Sequence, residues 1–535
     1  MPAPPPRILF FLLSLLLPLT SASARTYYLS NAGDDANAGT SPAHAWRTTA
    51  PVNAARLRPG DQVLLAGGEE FTGGIWLRGN SGGTPGQPIV FCSYGVGRAT
   101  IRSGDSFGFY AHNAAGIELR QLVFVGAGRL SNRSSGVVFH LDSADTHLRY
   151  LRLDSLDVSG YQAKGIAVGS WHGSSGYDDV RITNCQAHAN GEAGLAAYAF
   201  YPRPGPAHRD WYVGGCAAYD NAGREDITAT YTGSGIVLSG IDGALVEHCT
   251  AYRNGWLNAN PAGGPVGIWG WGCNNLVIQH CESHHNASGT AKDGGGFDLD
   301  GGCTNSVLQY NYSHDNQGPG YLLAQFAGAP AMHDLTVRYN ISENDARRYG
   351  QGALSLWSSG ASGGIVRADI YNNTVVLGPP ADGSLPKAVA VESGGIAGVT
   401  LRNNVLQTGA GLPVLATRTA AGLRLEGNCY WSPAGALVLD WDGTRYRTLA
   451  AWRAATGQEQ LAAGRATGFC ADPGPAGQGP GPALVGAGLS LSAEFGLNPG
   501  PHDFFGNPTP RPGVRGNVGA SEAGAAPGRG APPKR

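Results

Sequence analysis

Short runs of alternating apolar and polar residues recur through the middle of the chain, and many of them begin with glycine. Gly235-Ile-Val-Leu and Gly296-Phe-Asp-Leu are two such runs, and Val307-Leu-Gln-Tyr is a second kind without the leading glycine. Runs this short that alternate and are bounded by glycine predict β-strands. No helical period fits between them, so the pattern favours an all-β fold.

A column of Cys and Asn residues gives the spacing of these strands. Its members lie 29 to 33 residues apart, at Cys185, Cys216, Cys249, Cys281, Asn311, Asn340, Asn373 and Asn404. A period near 30 is typical of a solenoid, so we predict a single-stranded parallel β-helix with one coil per repeat. Neighbouring coils lie about 4.8 Å apart in such a fold, so the amides of the column can hydrogen-bond from coil to coil. We expect the thiols of this column to be unpaired, and Cys273–Cys303 and Cys429–Cys470 to be the disulfide candidates.

The repeat also divides the chain. Residues 1–24 read as a signal peptide, with Arg7 ahead of an apolar run and Ala24 at the cleavage site. Residues 25–104 are predicted to form the N-terminal entry and cap, 105–430 the regular coils, 431–520 the C-terminal coils and irregular cap, and 521–535 a disordered tail. We therefore expect a protein that is secreted to the periplasm or the exterior.

The two ends of the mature chain carry a more specific pattern. The entry is Tyr27-Tyr-Leu-Ser-Asn-Ala-Gly-Asp34, and the ending is Asp503-Phe-Phe-Gly-Asn507 followed by Asn517-Val-Gly-Ala-Ser-Glu522. Together with the coils, these segments resemble secreted right-handed parallel β-helix proteins of the pectate-lyase-like superfamily. That superfamily includes glycoside hydrolases, polysaccharide lyases, epimerases and binding proteins. The resemblance implies a right-handed helix and a carbohydrate groove along the glycine-initiated strands, which follow the longest loops.

Composition narrows the class of partner. Charged residues make up 14% of the chain and the formal net charge is −2, without a basic run, which argues against nucleic-acid binding. Beyond residue 24 no apolar stretch is long enough to span a membrane. We expect a monomer whose partner is a polysaccharide or oligosaccharide.

Aligning the glycine-initiated strands predicts the side chains that face outward along the groove. They are Tyr110, His112, His140, Tyr198, Trp269, Trp271, Asp298, Asp300, Gln325, Trp357 and Glu392. Exposed tryptophans beside carboxylates suit a sugar, because rings stack on its apolar faces and carboxylates bind its hydroxyls. The alternative is that the loop at 256–265 covers Trp269 and Trp271. His284 and His314 are either flanking substrate contacts or members of an ordinary stacked column.

Asp298 and Asp300 are the candidate catalytic residues. Two residues along a strand span about 6.6 Å, within reach of the carboxyl separation that inverting glycosidases use. Like charges this close raise one pKa and leave an acid beside a base. Asp293 could join them if its loop folds back. The leading hypothesis is therefore a glycoside hydrolase that requires no cofactor, and the pattern does not identify which aspartate is the acid.

Two other functions use the same residues. Asp293, Asp298 and Asp300 could bind Ca²⁺, which would suit a calcium-dependent lyase or epimerase with Lys292 as its base. A glycan-binding or adhesion β-helix without catalysis is the third hypothesis.

Overall fold

The coordinates are a computed structural model that describes residues 23–524, except 80, 201–204, 361, 434–436, 461–467 and 470–480. Most of the predicted signal peptide and of the predicted tail lies outside the described residues, as does Cys470. Within the described residues, no helix has the length and apolar character needed to cross a bilayer.

Each coil of the chain contributes one strand to each of three sheets, and the described residues place 14 strands in each sheet. Sheet one consists of β1 Thr26–Leu29, β2 Gln62–Ala66, β5 Ile89–Tyr94, β8 Ile117–Arg120, β11 His147–Asp154, β14 Gly176–Thr183, β17 His208–Gly214, β20 Ile241–Glu247, β23 Asn274–Gln279, β26 Val307–Gln309, β29 Leu335–Arg338, β32 Ala368–Tyr371, β35 Val399–Arg402 and β38 Leu423–Glu426.

Sheet two follows sheet one in every coil. It consists of β3 Glu70–Thr72, β6 Ala99–Gly104, β9 Leu122–Gly126, β12 Asp157–Ser159, β15 Gln186–His188, β18 Ala217–Tyr219, β21 Thr250–Tyr252, β24 Glu282–His284, β27 Tyr312–His314, β30 Ile341–Glu343, β33 Thr374–Leu377, β36 Val405–Thr408, β39 Cys429–Trp431 and β42 Gly468–Phe469.

Sheet three completes the coil and contains the glycine-initiated strands. It consists of β4 Ile75–Leu77, β7 Phe109–His112, β10 Val137–Leu141, β13 Lys164–Ser170, β16 Ala193–Ala199, β19 Ser234–Ser239, β22 Val266–Trp271, β25 Gly295–Asp300, β28 Tyr321–Gln325, β31 Gly352–Ser358, β34 Lys387–Val391, β37 Leu415–Thr417, β40 Leu439–Trp441 and β41 Thr444–Tyr446.

Neighbouring strands pair in parallel throughout the described residues, except that β40 and β41 are antiparallel. The helices are short: α1 Ala50–Ala54, α2 Leu449–Thr456, α3 Leu491–Phe495, and the 3-10 turns Pro42–His44 and Pro482–Leu484. The predicted all-β parallel β-helix is confirmed.

Alternation along each strand fills the interior of the solenoid. In β25, Phe297 and Leu299 are fully buried in the central core, while Asp298 between them points away from it. Glycine is needed at the second position of the strand because a Cβ at Gly296 would lie 2.2 Å from the Ser313 hydroxyl. Sheets two and three therefore approach too closely at this corner for any other residue.

The predicted polar column stacks as a ladder. The Asn311 amide donates to Asn340 at 3.1 Å, Asn340 to Asn373 at 3.0 Å, and Asn373 to Asn404 at 2.9 Å. Cys185, Cys216, Cys249 and Cys281, its other members, are free thiols as predicted. Each coil is thus fixed to the next by buried, satisfied amides.

The two predicted disulfides have different outcomes. Cys273 and Cys303 are both free, so the disulfide predicted between them is wrong: the two buried thiols lie on adjacent coils and pair by a hydrogen bond instead. Cys429 is disulfide-bonded, and Cys470, its predicted partner, lies outside the described residues.

Candidate active site on sheet three

Strand register places the outward residues of sheet three in two columns. Trp269 lies opposite Asp298 in the first column, and Trp271 lies opposite Asp300 in the second. Both aspartates therefore leave the same face of β25, as predicted from their spacing. The next strand continues the columns with Leu322 and Ala324.

Asp298 is more deeply buried than the sequence predicted. Only 3% of the residue is exposed, and among the described residues its Oδ1 has no hydrogen-bond partner. Burial, followed by the charges of Asp300 and Asp293, raises its pKa well above the usual value. Burial therefore favours the protonated form of Asp298. A buried, unsatisfied acid is costly, and such groups concentrate at functional sites.

Asp300 is half-buried at the end of the same strand. Its Oδ1 accepts the backbone N–H of Gly301 at 2.6 Å. Burial raises the pKa of Asp300 to about 7 against this hydrogen bond, and the charge of Asp293 adds to the increase. The carboxyl thus changes protonation state near neutral pH, where a general acid is most effective.

Asp293 reaches the same place from the loop that precedes β25. The loop folds back, with Asp293 at a φ of +50°, and its carboxylate accepts the Gly264 N–H at 2.6 Å. Its backbone carbonyl accepts the amide of Gln351 at 3.2 Å. Burial raises the pKa of Asp293 to about 6, the Gly264 N–H and Lys292 oppose the shift, and Glu392 supports it. We refer to Asp293, Asp298 and Asp300 as the acid site.

Tyr231 lies next to the acid site, close enough for the charge of Asp300 to act on its hydroxyl, and the sequence did not predict it. Its ring meets that of Trp269 edge-on, with centroids 4.9 Å apart. It also hydrogen-bonds with Trp271, and burial followed by the charge of Asp300 raises the pKa of its hydroxyl. Tyr231 is the one aromatic residue in the long loop 223–233, which is the signal that could have identified it.

The two tryptophans have different environments. Trp269 is 3% exposed, packs on Ala196 and Val237, and donates its indole N–H to the Ser234 hydroxyl at 3.2 Å. Its ring faces are covered, by the 223–233 loop, so it is not on the surface that a sugar could contact. Trp271 is half-buried and lines an open cavity of about 300 Å³.

Gln325 does not occupy the outward column, so its predicted position is wrong by one residue. Ala324 lies opposite Asp300, and Gln325 turns into the corner. There its amide donates to the Ala329 carbonyl at 2.8 Å, and its oxygen accepts the Ser358 hydroxyl at 3.0 Å. These bonds satisfy the buried side chain and leave it no face toward the groove.

The remaining predicted groove residues do lie along the second column. Trp357 lies opposite Ala324, and Glu392 continues the ladder through its N–H to Leu356. Tyr198 lies on the N-terminal side of the acid site, three strands before the strand that carries Asp300. All three side chains are partly exposed.

His284 and His314 are not brought to the acid site, because they lie on sheet two. They end a column of parallel rings whose members are His188, Tyr219, Tyr252, His284 and His314, with centroids 4.7–5.0 Å apart. We call this set the ring column. Burial, then the charge of His314, lowers the pKa of His284 to about 4. Hydrogen bonds to Asp315 and Glu282 outweigh burial and raise the pKa of His314 to about 9.

Metal-ligating groups also gather at the ring column. In the part of the chain that the structure describes, two sets place three ligand atoms within 4.8 Å of one another: Glu282 with His284 and His314, and His285 with His314 and Asp315. The acid site is not such a set.

Comparisons with known proteins agree with the fold. A family model described as "Right handed beta helix region" matches residues 211–375. The GH136 lacto-N-biosidase of Eubacterium ramulus aligns with a TM-score of 0.50 and 19% identity, over 78% of this chain and 67% of that one. The A-module of the Azotobacter vinelandii mannuronan C-5 epimerase AlgE6 aligns with a TM-score of 0.50 and 15% identity, over 72% of this chain and 95% of that one. The predicted right-handed β-helix is confirmed.

A curated relative adds sequence similarity. Lacto-N-biosidase of Bifidobacterium longum subsp. longum is 26% identical to this chain, in a match that covers 67% of this chain and 28% of that protein. The chain thus spans less than a third of the length of this relative.

Proposed function

We propose that this protein is a glycoside hydrolase. The glycosidic bond of the substrate would lie between the carboxyls of Asp293 and Asp300. The observation that carries the proposal is the acid site, where burial raises the pKa of three neighbouring carboxyls. The similarity to lacto-N-biosidase supports this class of reaction. It makes lacto-N-biosides the first substrates to test.

The exposure and the protonation state of each carboxyl in the acid site indicate its role in catalysis. Asp293 and Asp300 are partly exposed and can touch a substrate, whereas Asp298 is sealed. Between pH values of about 6 and 7, Asp293 is ionised and Asp300 is protonated. Asp300 then donates its proton to the leaving glycosidic oxygen, and Asp293 acts as the nucleophile or as the base that activates water.

Asp298 acts as a positioning residue for Asp300, two residues along the same strand. Burial and the charges of Asp300 and Asp293 raise its pKa well above the usual value, which disfavours a second negative charge beside the acid. Asp298→Asn should therefore lower kcat less than Asp300→Asn, and it should shift the alkaline limb of the pH–rate profile.

The experiment incubates the protein with a lacto-N-bioside and with a glycan panel, and it measures hydrolysis by the release of reducing ends. Asp293→Asn and Asp300→Asn should each lower kcat/KM by about 10²–10⁴-fold. Asp210→Asn is the matched control, since its side chain is 66% exposed on sheet one. Full activity in both acid-site variants, on whichever glycan the wild type cleaves, would refute the proposal.

The same panel separates the other hypotheses. A lyase would release unsaturated uronates that absorb in the ultraviolet and would lose activity with a chelator, and a binder would retain glycan without releasing product. Lys292, the base that a lyase would need, is exposed and lies outside the covered part of the site.

Export and a monomeric state belong to the same proposal. A secreted enzyme cleaved near Ala24 would begin at Arg25, which mass spectrometry of the exported protein can verify. Size-exclusion chromatography should give the mass of one chain.

A further inference from the structure

A line of aromatic rings crosses the outer face of sheet three, ahead of the acid site. Its members are Trp76, Tyr110, His112, His140, Trp171 and Tyr198, which we call the aromatic track. Trp76 and Trp171 are 47% and 59% exposed, although large apolar side chains are normally buried. None of these residues takes part in the chemistry assigned to the acid site.

Successive rings of the track touch one another. Trp76 meets Tyr110 edge-on at 5.3 Å, and Tyr110 lies 6.2 Å from His112. His112 stacks on His140 at 6.1 Å with the planes 12° apart, and the next contact is His140 with Tyr198, also at 6.1 Å. The rings thus form one surface rather than scattered apolar side chains.

Glycine makes the last of these contacts possible. Gly169 lies between His140 and Tyr198 in the strand register. A Cβ there would lie 2.0 Å from the Tyr198 carbonyl oxygen and 2.7 Å from the first ring carbon of Tyr198, so both the neighbouring strand and the ring can lie across this coil only because residue 169 has no side chain. The Tyr198 hydroxyl then reaches Nδ1 of His140 at 2.8 Å.

The track offers ring faces together with polar edges. Asp142 binds Nε2 of His112 at 2.8 Å, and Trp76 and Tyr110 border a cavity of about 320 Å³ that also contains Asn53. Ring faces flanked by hydroxyl, imidazole and amide groups match the alternating apolar faces and hydroxyls of sugars.

The track is continuous with the acid site. Tyr198 lies in the same outward column as Ser239, Trp271 and Asp300. Three coils separate Tyr198 from Asp300, which is about 14 Å, and seven separate Trp76 from β25, which is about 34 Å. A glycan bound across the acid site can therefore run along the track without leaving the sheet.

We propose that the aromatic track is a second binding surface for the distal part of a long glycan. The inference deepens the proposed function, since it assigns to the same groove a preference for extended chains over short glycosides. Binding energy from this distant part of the substrate would act mainly on KM, because these rings do not touch the reacting atoms.

The first test measures binding, without turnover, of a short and a long oligosaccharide of one series ending in lacto-N-biose. In the Asp300→Asn background, the long chain should bind more tightly than the short one. Trp76→Ala should weaken binding of the long chain about tenfold and leave the short chain unchanged. Leu130→Ala is the control, since Leu130 is 78% exposed and lies outside the track. Equal affinity of both chains, or no effect of Trp76→Ala, would overturn the inference.

Kinetics separate this inference from the proposed function. With Asp300 intact, Trp76→Ala should raise KM for the long glycan and leave kcat and the short substrate unchanged. If Asp300→Asn keeps full turnover while Trp76→Ala still weakens long-chain binding, the catalytic assignment fails and the track stands. If Trp76→Ala instead changes the oligomeric state, a second copy covers the track and the inference is wrong.

Discussion

The acid site on sheet three and the ring column on sheet two are built from the same kind of outward residue on the same solenoid, yet they differ in one respect. His314 in the ring column has both ring nitrogens paired, with Asp315 at 2.9 Å and Glu282 at 3.1 Å. Asp298 in the acid site has an oxygen that no described residue pairs. Satisfied polar side chains stabilise a scaffold, whereas buried polar groups without a partner are costly and concentrate at functional sites.

The largest expected difference between the two regions is in catalysis. Asp300→Asn should lower kcat/KM by about 10²–10⁴-fold, because it removes the proton donor. Asp315→Asn, which changes the aspartate that pairs with His314 of the ring column, should leave activity within about twofold since no reacting group is touched. Steady-state kinetics on the same glycan compare them. A large loss in Asp315→Asn would place the ring column within the catalytic machinery.

Tyr231 tests whether the loops take part in the site or only cover it. Tyr231→Phe keeps the ring on Trp269 and removes the hydroxyl that lies beside Asp300, so kcat should fall about tenfold with little change in Tm. Tyr231→Ala should also expose Trp269 and lower Tm. Unchanged kcat in Tyr231→Phe would mean that Tyr231 only packs against Trp269 and takes no part in catalysis.

The pH dependence of stability also distinguishes the two regions, because the titrating group is a carboxyl in the acid site and an imidazole in the ring column. The folded state raises the pKa of Asp300 to about 7, above the unfolded value of about 3.9. The carboxyl therefore contributes stability that is present below pH 4 and lost as the pH rises through about 7. Asp300→Asn should raise Tm at pH 8 by a few degrees relative to wild type and should not raise it at pH 4. Thermal unfolding at both pH values measures this, and Asp210→Asn should keep the wild-type dependence.

The ring column should show a smaller effect. His314 has its pKa raised to about 9, so its contribution is present below pH 6.5 and lost as the pH rises through about 9. Asp315→Asn should bring the pKa back toward 6.5 and cost about 0.5–1 kcal/mol of stability at pH 7. An NMR titration of the imidazole measures the pKa. An unchanged pKa would mean that Asp315 does not stabilise the protonated imidazole of His314.

Periodic features were predictable from the sequence, and features of loops and corners were not. The repeat of Cys and Asn determined the coil, and the two-residue spacing placed Asp298 and Asp300 on one face of β25. Gln325 was misplaced because the strand after Gly320 is entered through a short glycine- and proline-rich turn, which leaves the register open by one residue.

Tyr231 and the burial of Trp269 depend on how the 223–233 loop packs across three coils, and no local pattern encodes that. The same holds for Asp293, whose N–H donor comes from Gly264 on a different loop. Strand alternation could show that the carboxyls point outward, but it could not show that loops would cover them and raise their pKa values.

In the proposed mechanism Asp300 is the acid and Asp293 is its ionised partner. The decisive experiment is the pH–rate profile of kcat/KM on a lacto-N-bioside with a good leaving group. Wild type should give a bell with limbs near pH 6 and pH 7, from Asp293 and Asp300. Asp300→Asn should retain the acidic limb and lose the alkaline one, because such a leaving group departs without protonation. An alkaline limb that survives in Asp300→Asn would contradict the assignment.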